Sequence, residues 1–158
     1  MLSRTPTNPP LLENQIANTG PTIANTRQAA GTLNLSNIDH FGYSVALSAD
    51  RLAVGSYGDD TGGVDRGAVY LFDGLGTSGA INPANIRLAT KLVSGSTLAS
   101  GGAASTLNLA NSDVFATVAL SADRLAVTAW YDDTGGADRG AVYLFDGLGA
   151  SGAINPAN

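Results

Sequence analysis

The feature that most constrains this chain is that it is written nearly twice. Residues 48–85 and 121–158 align without a gap at an offset of 73, and only six of the 38 aligned pairs differ: 55/128, 56/129, 57/130, 58/131, 64/137 and 77/150. Upstream, Thr32-Leu-Asn-Leu-Ser-Asn37 matches Thr106-Leu-Asn-Leu-Ala-Asn111 at an offset of 74, so one residue is lost between Phe115 and Ser121. Self-similarity at such a period signals units that bury their apolar faces by stacking on one another.

Within a unit, short runs alternate with turn chemistry, which predicts strands. Phe41–Leu47 is the first, with Phe41, Tyr43, Val45 and Leu47 alternating with Gly42, Ser44 and Ala46. Ser48-Ala49-Asp50 reads as a tight turn in which Asp50 tolerates positive φ. Arg51–Ser56 is the second strand, Gly67–Phe72 the third and Leu88–Val93 the fourth. The third strand is apolar on both sides, with Ala68, Tyr70 and Phe72 opposite Val69 and Leu71, so it should be covered on both faces. This divides the chain into an irregular Pro-, Asn- and Thr-rich segment 1–31, with one weak strand near Leu11–Ile16, a first repeat 32–105 and a second repeat 106–158 that lacks its last strand.

Composition closes several alternatives. Charged residues are 13%, about half the usual share, while 20 glycines are roughly twice the average. That rules against a disordered acidic tail and against a heptad coiled coil. There is no cysteine, hence no disulfide framework and no zinc–thiolate site. Net charge is −5, and no Lys/Arg cluster exists to displace counterions, so nucleic acid is not an expected partner. No apolar run approaches the length of a membrane-spanning helix, and the first ten residues lack a secretion signal's hydrophobic run, so any export signal is expected outside this chain.

Phe41-Gly-Tyr-Ser-Val-Ala46, followed by Leu52-Ala-Val-Gly55 and Gly67-Ala-Val-Tyr-Leu-Phe72, resembles the FG-GAP repeat, which builds the β-propeller of integrin α chains and of many bacterial surface proteins. The resemblance spans roughly residues 37–158 and implies an all-β fold of antiparallel four-stranded blades, here two repeats of an incomplete or assembled propeller. It also implies an extracellular or cell-surface setting and binding rather than catalysis. The second unit departs from the pattern at Val114-Phe-Ala-Thr-Val-Ala119, where the glycine is missing. A one-residue deletion turns Phe115 to the opposite face from its counterpart unless a bulge at Gly42 absorbs it. The stretch between strands one and two, Asp-rich in the family's calcium loop, is here only Ser-Ala-Asp, which implies that the family's usual calcium site is absent. Propellers need about four blades or more to close. Three arrangements stay open: a piece of a longer array, assembly with copies of itself, or a two-blade unit completed by the N-terminal segment.

Three groups of residues are candidates for chemistry. The loop carrying Asp59, Asp60 and Asp65 recurs with Asp132, Asp133 and Asp138, offering hard oxygen ligands to Ca²⁺ without matching the EF-hand spacing. The alternative is an ordinary connection in which Asp caps turns and Asp65 pairs with Arg66 or Arg51. Tyr57, Trp130 and Tyr131 precede these loops and suit stacking on a sugar or anchoring a protein, or else they cap the core between blades. The single histidine, His40, lies between Asp39 and Ser44, but Val114 replaces it in the second unit, which reads as a partly buried strand start. The sequon Asn34-Leu-Ser36 becomes Asn108-Leu-Ala110 and is read as chance. An enzyme is not expected. The expectation is a surface module for adhesion or recognition of a protein or glycan through blade loops, with further repeats or a second copy as structural partners. A spacer in a large surface protein, or a binding accessory of a longer enzyme, is the alternative.

Overall fold

The computed structural model describes Leu33 and residues 35–77, 85–100 and 103–146. The segment 1–31, with its expected weak strand, lies outside the described residues. Four strands, β1 (Phe41–Ser48), β2 (Arg51–Ser56), β3 (Ala68–Asp73) and β4 (Arg87–Leu92), form an antiparallel meander in chain order. A hairpin of β5 (Thr97–Ser100) and β6 (Ala103–Thr106) follows. The second unit then gives β7 (Phe115–Ser121), β8 (Arg124–Ala129) and β9 (Ala141–Phe145), a three-stranded antiparallel sheet. The fold is all-β, with no α-helix among the described residues, and the two blade sheets do not close into a barrel. No helix among the described residues is long and apolar enough to cross a membrane. The expected strands match these limits to within one residue at each end; the β5–β6 hairpin was not anticipated.

Each blade has a Tyr/Phe face and a Val/Leu face. In the first blade, Val54, Ala68, Tyr70, Phe72 and Leu88 pack beneath Leu33, with Leu35 and Phe41 at the margin. On the other side, Ala53, Val69, Leu71 and Leu92 meet Leu107, Leu109, Phe115, Val127 and Phe145 in one core. The Tyr/Phe face of the second blade therefore rests on the Val/Leu face of the first. This accounts for the complete burial of β3 along its six residues, the outcome expected of a strand apolar on both sides.

The lost residue is absorbed by a bulge. In unit one, Phe41 pairs with Ser56 and Ser44 with Gly55; in unit two, Phe115 pairs with Ala129 and Thr117 with Thr128. Gly42 and Tyr43 thus occupy the place of Ala116 alone. Phe41 and Phe115 keep equivalent positions, edge-on to Tyr70 and Phe72 (5.2 and 6.3 Å) and to Tyr143 and Phe145 (5.5 and 6.3 Å). Edge-to-face pairs of this kind contribute about 1 kcal/mol each beyond burial.

The β1–β2 turn works differently from the sequence expectation. The positive-φ residue is Ala49 (φ 48°), repeated at Ala122 (φ 48°), rather than Asp50. Asp50 instead spends its carboxylate on the chain after β3, accepting from Gly74 N at 3.2 Å and Gly76 N at 2.5 Å. Asp50 is thus a cross-strand clamp.

The blades are stitched as well as packed. Ser112 N, Val114 N and Phe115 N donate to the carbonyls of Val64, Asp65 and Arg66 at 3.0, 3.3 and 3.0 Å. Val118 N and Ala122 N donate to Ser44 Oγ and Ser48 Oγ, each at 3.0 Å, and Arg51 Nη1 donates to the Ala122 carbonyl at 3.3 Å. The approach is close enough that a Cβ at Gly55 would stand 1.7 Å from the Ala116 carbonyl oxygen, so that position admits no side chain.

Candidate functional site: two aspartate loops and an aromatic ledge

The aspartate loops fold inward onto their own blades. Asp59 is buried, and its Oδ2 accepts from the Tyr70 hydroxyl at 2.6 Å and pairs with Lys91 Nζ at 2.9 Å. Its Oδ1 accepts from Thr61 N at 2.9 Å. Burial pushes the Asp59 carboxyl up, but the bonds from Tyr70, Lys91 and Thr61 outweigh it and hold the carboxyl below its ordinary value. Burial, with the Asp59 charge beside it, pushes the Tyr70 hydroxyl far up, so it stays a donor. Lys91 also sits over the Tyr70 ring, 4.9 Å from its centroid. Unit two repeats the pattern: Tyr143 donates to Asp132 Oδ2, Thr134 N donates to Oδ1 at 2.7 Å, and the Asp132 carboxyl is again lowered against the effect of burial.

The remaining loop acids do not join these. Asp60 Oδ1 and Asp133 Oδ1 each cap the loop by accepting, at 2.8 Å, from Asp65 N and Asp138 N. Arg66 does not pair with Asp65; its guanidinium donates to Asn111 Oδ1 at 3.0 Å and Ser94 Oγ at 3.2 Å, crossing toward the second unit. Among the described residues no three Asp, Glu, His or Cys side chains are grouped as a metal ion requires. Asp60 and Asp133 cap their loops, and the backbone at Val64–Arg66 receives the next blade.

Sequence reading missed a second pair of buried acids, Asp39 and Asp113. Burial raises both carboxyls, opposed by a backbone bond from Ser36 N or Ala110 N at 2.7 Å and reinforced by Asp59 or Asp132. Their recurrence at the 74-residue offset was the available signal.

Tyr57 and Trp130 come together through Tyr43, which the sequence did not single out. His40 stacks on Tyr57 (centroids 4.5 Å apart, planes 8° off parallel), Tyr43 meets Tyr57 edge-on at 4.8 Å, and Tyr43 meets Trp130 at 6.2 Å. The row crosses the seam from unit one to unit two. Trp130 Nε1 donates to Thr117 Oγ1 and Thr128 Oγ1, both at 3.1 Å, which fixes the indole while leaving it half exposed. Tyr131, also half exposed, borders a shallow open depression with Trp130, Arg139 and Gly140. His40 is exposed, not partly buried as expected; it belongs to the ledge. A bulge at Gly42 was one option in the sequence, but nothing there said that Tyr43, within the bulge, meets Trp130.

Two stacked antiparallel blades, joined in series by pairing between a loop and the following strand, define a β-repeat protein. The FG-GAP repeat family model matches residues 35–72 and 108–145, one match per blade, and both units are FG-GAP repeats. Such repeats are typically extracellular recognition or structural modules, usually found in extracellular or surface proteins, and are generally non-catalytic. No curated protein and no solved structure is significantly similar to the chain.

Two measurements check this site. Tyr70→Phe removes a bond to an ionised, buried carboxylate and should cost about 2 kcal/mol at neutral pH. A lowered folded-state carboxyl contributes stability above its unfolded pKa of about 3.9, and that contribution is lost as pH falls through the lower folded value. The cost of Tyr70→Phe should therefore shrink on acidification as Asp59 takes a proton; a pH-independent cost would contradict the assignment. Separately, because Asp59 and Asp132 already hold their own donors, millimolar Ca²⁺ should leave the melting temperature where chelator leaves it. A rise would show binding by mass action.

Proposed function

We propose that this chain is a non-catalytic extracellular recognition module that binds a protein or glycan ligand on the aromatic ledge, with Trp130 and Tyr43 as anchors and Tyr57 and Tyr131 beside them. The observation that carries the reading is the row His40–Tyr57–Tyr43–Trp130, in which Tyr43 and Trp130 are fixed by neighbours yet half exposed, with Tyr57 partly buried between His40 and Tyr43. Pre-fixed rings lose little conformational entropy on binding, and exposed aromatic faces suit sugar rings or apolar side chains. Adhesion is the biological role this chemistry fits.

A second reading, a spacer within a large surface protein, draws on a specific observation. Four of the six differences between units lie at 55–58 against 128–131, and packing explains three of the unit-one identities. Gly55 faces Ala116, Gly58 would place a Cβ 2.3 Å from the Ile38 carbonyl, and Ser56 donates to the Asp39 carbonyl at 2.7 Å. Variation there need not track a ligand.

Binding of the full chain to arrayed glycans and surface proteins separates the two. Recognition predicts that replacing Trp130 and Tyr43 by Ala weakens binding about tenfold or more with little change in melting temperature. If the pair alters stability alone, the spacer reading stands.

A further inference from the structure

Among the described residues, unit one has a strand that unit two lacks. β3 pairs with β2 on one side and β4 on the other, whereas its counterpart β9 pairs with β8 alone and forms the edge of its sheet. Nothing in β9 blunts that edge. Ala141–Phe145 holds no proline and no charged side chain, and its register with β8 is unbroken. Val142 and Leu144 are 63% and 81% exposed, where Val69 and Leu71 are buried.

β4 brings two cations to unit one, and each meets an acid that unit two repeats. Arg87 donates through Nε and Nη2 to the two carboxylate oxygens of Asp73, the second at 3.1 Å. Lys91 Nζ lies 2.9 Å from Asp59 Oδ2, donates to Thr61 Oγ1 at 2.8 Å and sits over the Tyr70 ring. At the 73-residue offset the same set stands as Asp146, Asp132, Thr134 and Tyr143. Its internal bonds are those of unit one: Tyr143 donates to Asp132 Oδ2 and Thr134 N to Oδ1. Yet neither acid has an ion-pair partner among the described residues, and Lys91 is the chain's only lysine. Asp146 is exposed where Asp73 is buried, and Tyr143 is partly exposed where Tyr70 is buried. Asp132 itself is buried beneath its loop, so the accessible parts of this pocket are Thr134 and the Tyr143 ring, the counterparts of two groups that Lys91 touches in unit one.

We propose that the β9 edge binds an extended segment of another chain with the chemistry of β4, Arg-Leu-x-x-Lys-Leu, as a fourth antiparallel strand, setting its arginine on Asp146 and its lysine against Thr134, Tyr143 and Asp132. Strand addition of this kind takes affinity from main-chain hydrogen bonds and selectivity from side-chain positions. The argument for this occupant is charge complementarity, with unit one as the template in which the same acids already hold these cations. The β9 strand of a second copy does not fit the role, since it brings no cation to either acid. The chain's own β4 is engaged with β3. Binding at this edge is independent of the ledge's ligand.

The probe is a synthetic peptide with the sequence of Ile86–Val93, titrated into the full chain. It should bind saturably below about 1 mM and slow amide exchange in β9 while β4 keeps its own protection. Lys91→Met in the peptide should weaken binding about tenfold, and Asp146→Asn in the chain about threefold. A scrambled peptide of the same composition should bind at least about tenfold more weakly. The peptide changes leave the protein's folding untouched, and Asp146 is exposed, so its replacement spares the core. Absence of saturation overturns the proposal. So does equal binding by the scrambled or Met peptide, which marks general attraction of a basic peptide to an acidic chain. Binding indifferent to Asp146→Asn, or protection lost from β4 by exchange into unit one, overturns it as well.

Discussion

Everything in this fold depends on the need of a thin, doubly apolar sheet to be dry on both sides. β3 holds Tyr70 and Phe72 on one face and Val69 and Leu71 on the other, and water on either would expose side chains worth about 2 kcal/mol each on burial. A single blade cannot supply both covers. The chain supplies one by laying the second blade on the Val/Leu face, and another by folding Leu33 and Leu35 over the Tyr/Phe face. The motif Leu-x-Leu recurs as Leu107 and Leu109, which fill the inter-blade core. The repeat is therefore as much an interface as a strand arrangement.

Polar groups are used to fix register rather than to perform chemistry. Asp59 and Asp132 sit beneath loops whose curvature depends on Gly62, Gly63, Gly135 and Gly136 at positive φ, and each acid anchors its loop to a tyrosine of the third strand. Because the loop is held from below, the backbone at Val64–Arg66 presents carbonyls to the following blade. Packing, loop and seam are thus consecutive links of one chain of cause. The ledge is a by-product of the same seam: Tyr43 and Trp130 meet because the blades meet there.

Much of this was legible in the residues. Alternation and turn chemistry locate β1–β4, and β3's two apolar faces announce the stack. The FG-GAP likeness rested on motifs that the family match then covered, unit by unit. The turn at Ala49 was misassigned because local propensity favours Asp at positive φ, whereas a distant need, the amides of Gly74 and Gly76, claims the Asp50 carboxylate. The β5–β6 hairpin went unseen because its strands are short and rich in Ala and Ser, without apolar alternation. At the site, Tyr57 and Trp130 were found from their place before the aspartate loops, but their meeting through Tyr43 was not, since the lost residue pointed to a bulge at Gly42 without saying which way Tyr43 faces within it.

The central claim is that the two blades share one core and unfold together. Trp130 is the only tryptophan, so its fluorescence follows unit two and its seam contact with Tyr43, while Leu71 lies in the core of unit one. Denaturant unfolding of Leu71→Ala, followed by Trp130 emission and by far-ultraviolet circular dichroism, should give coincident transitions, both lowered by about 2–4 kcal/mol. A Trp130 transition that stays at its wild-type midpoint while the circular dichroism shifts would mean that the blades stand independently.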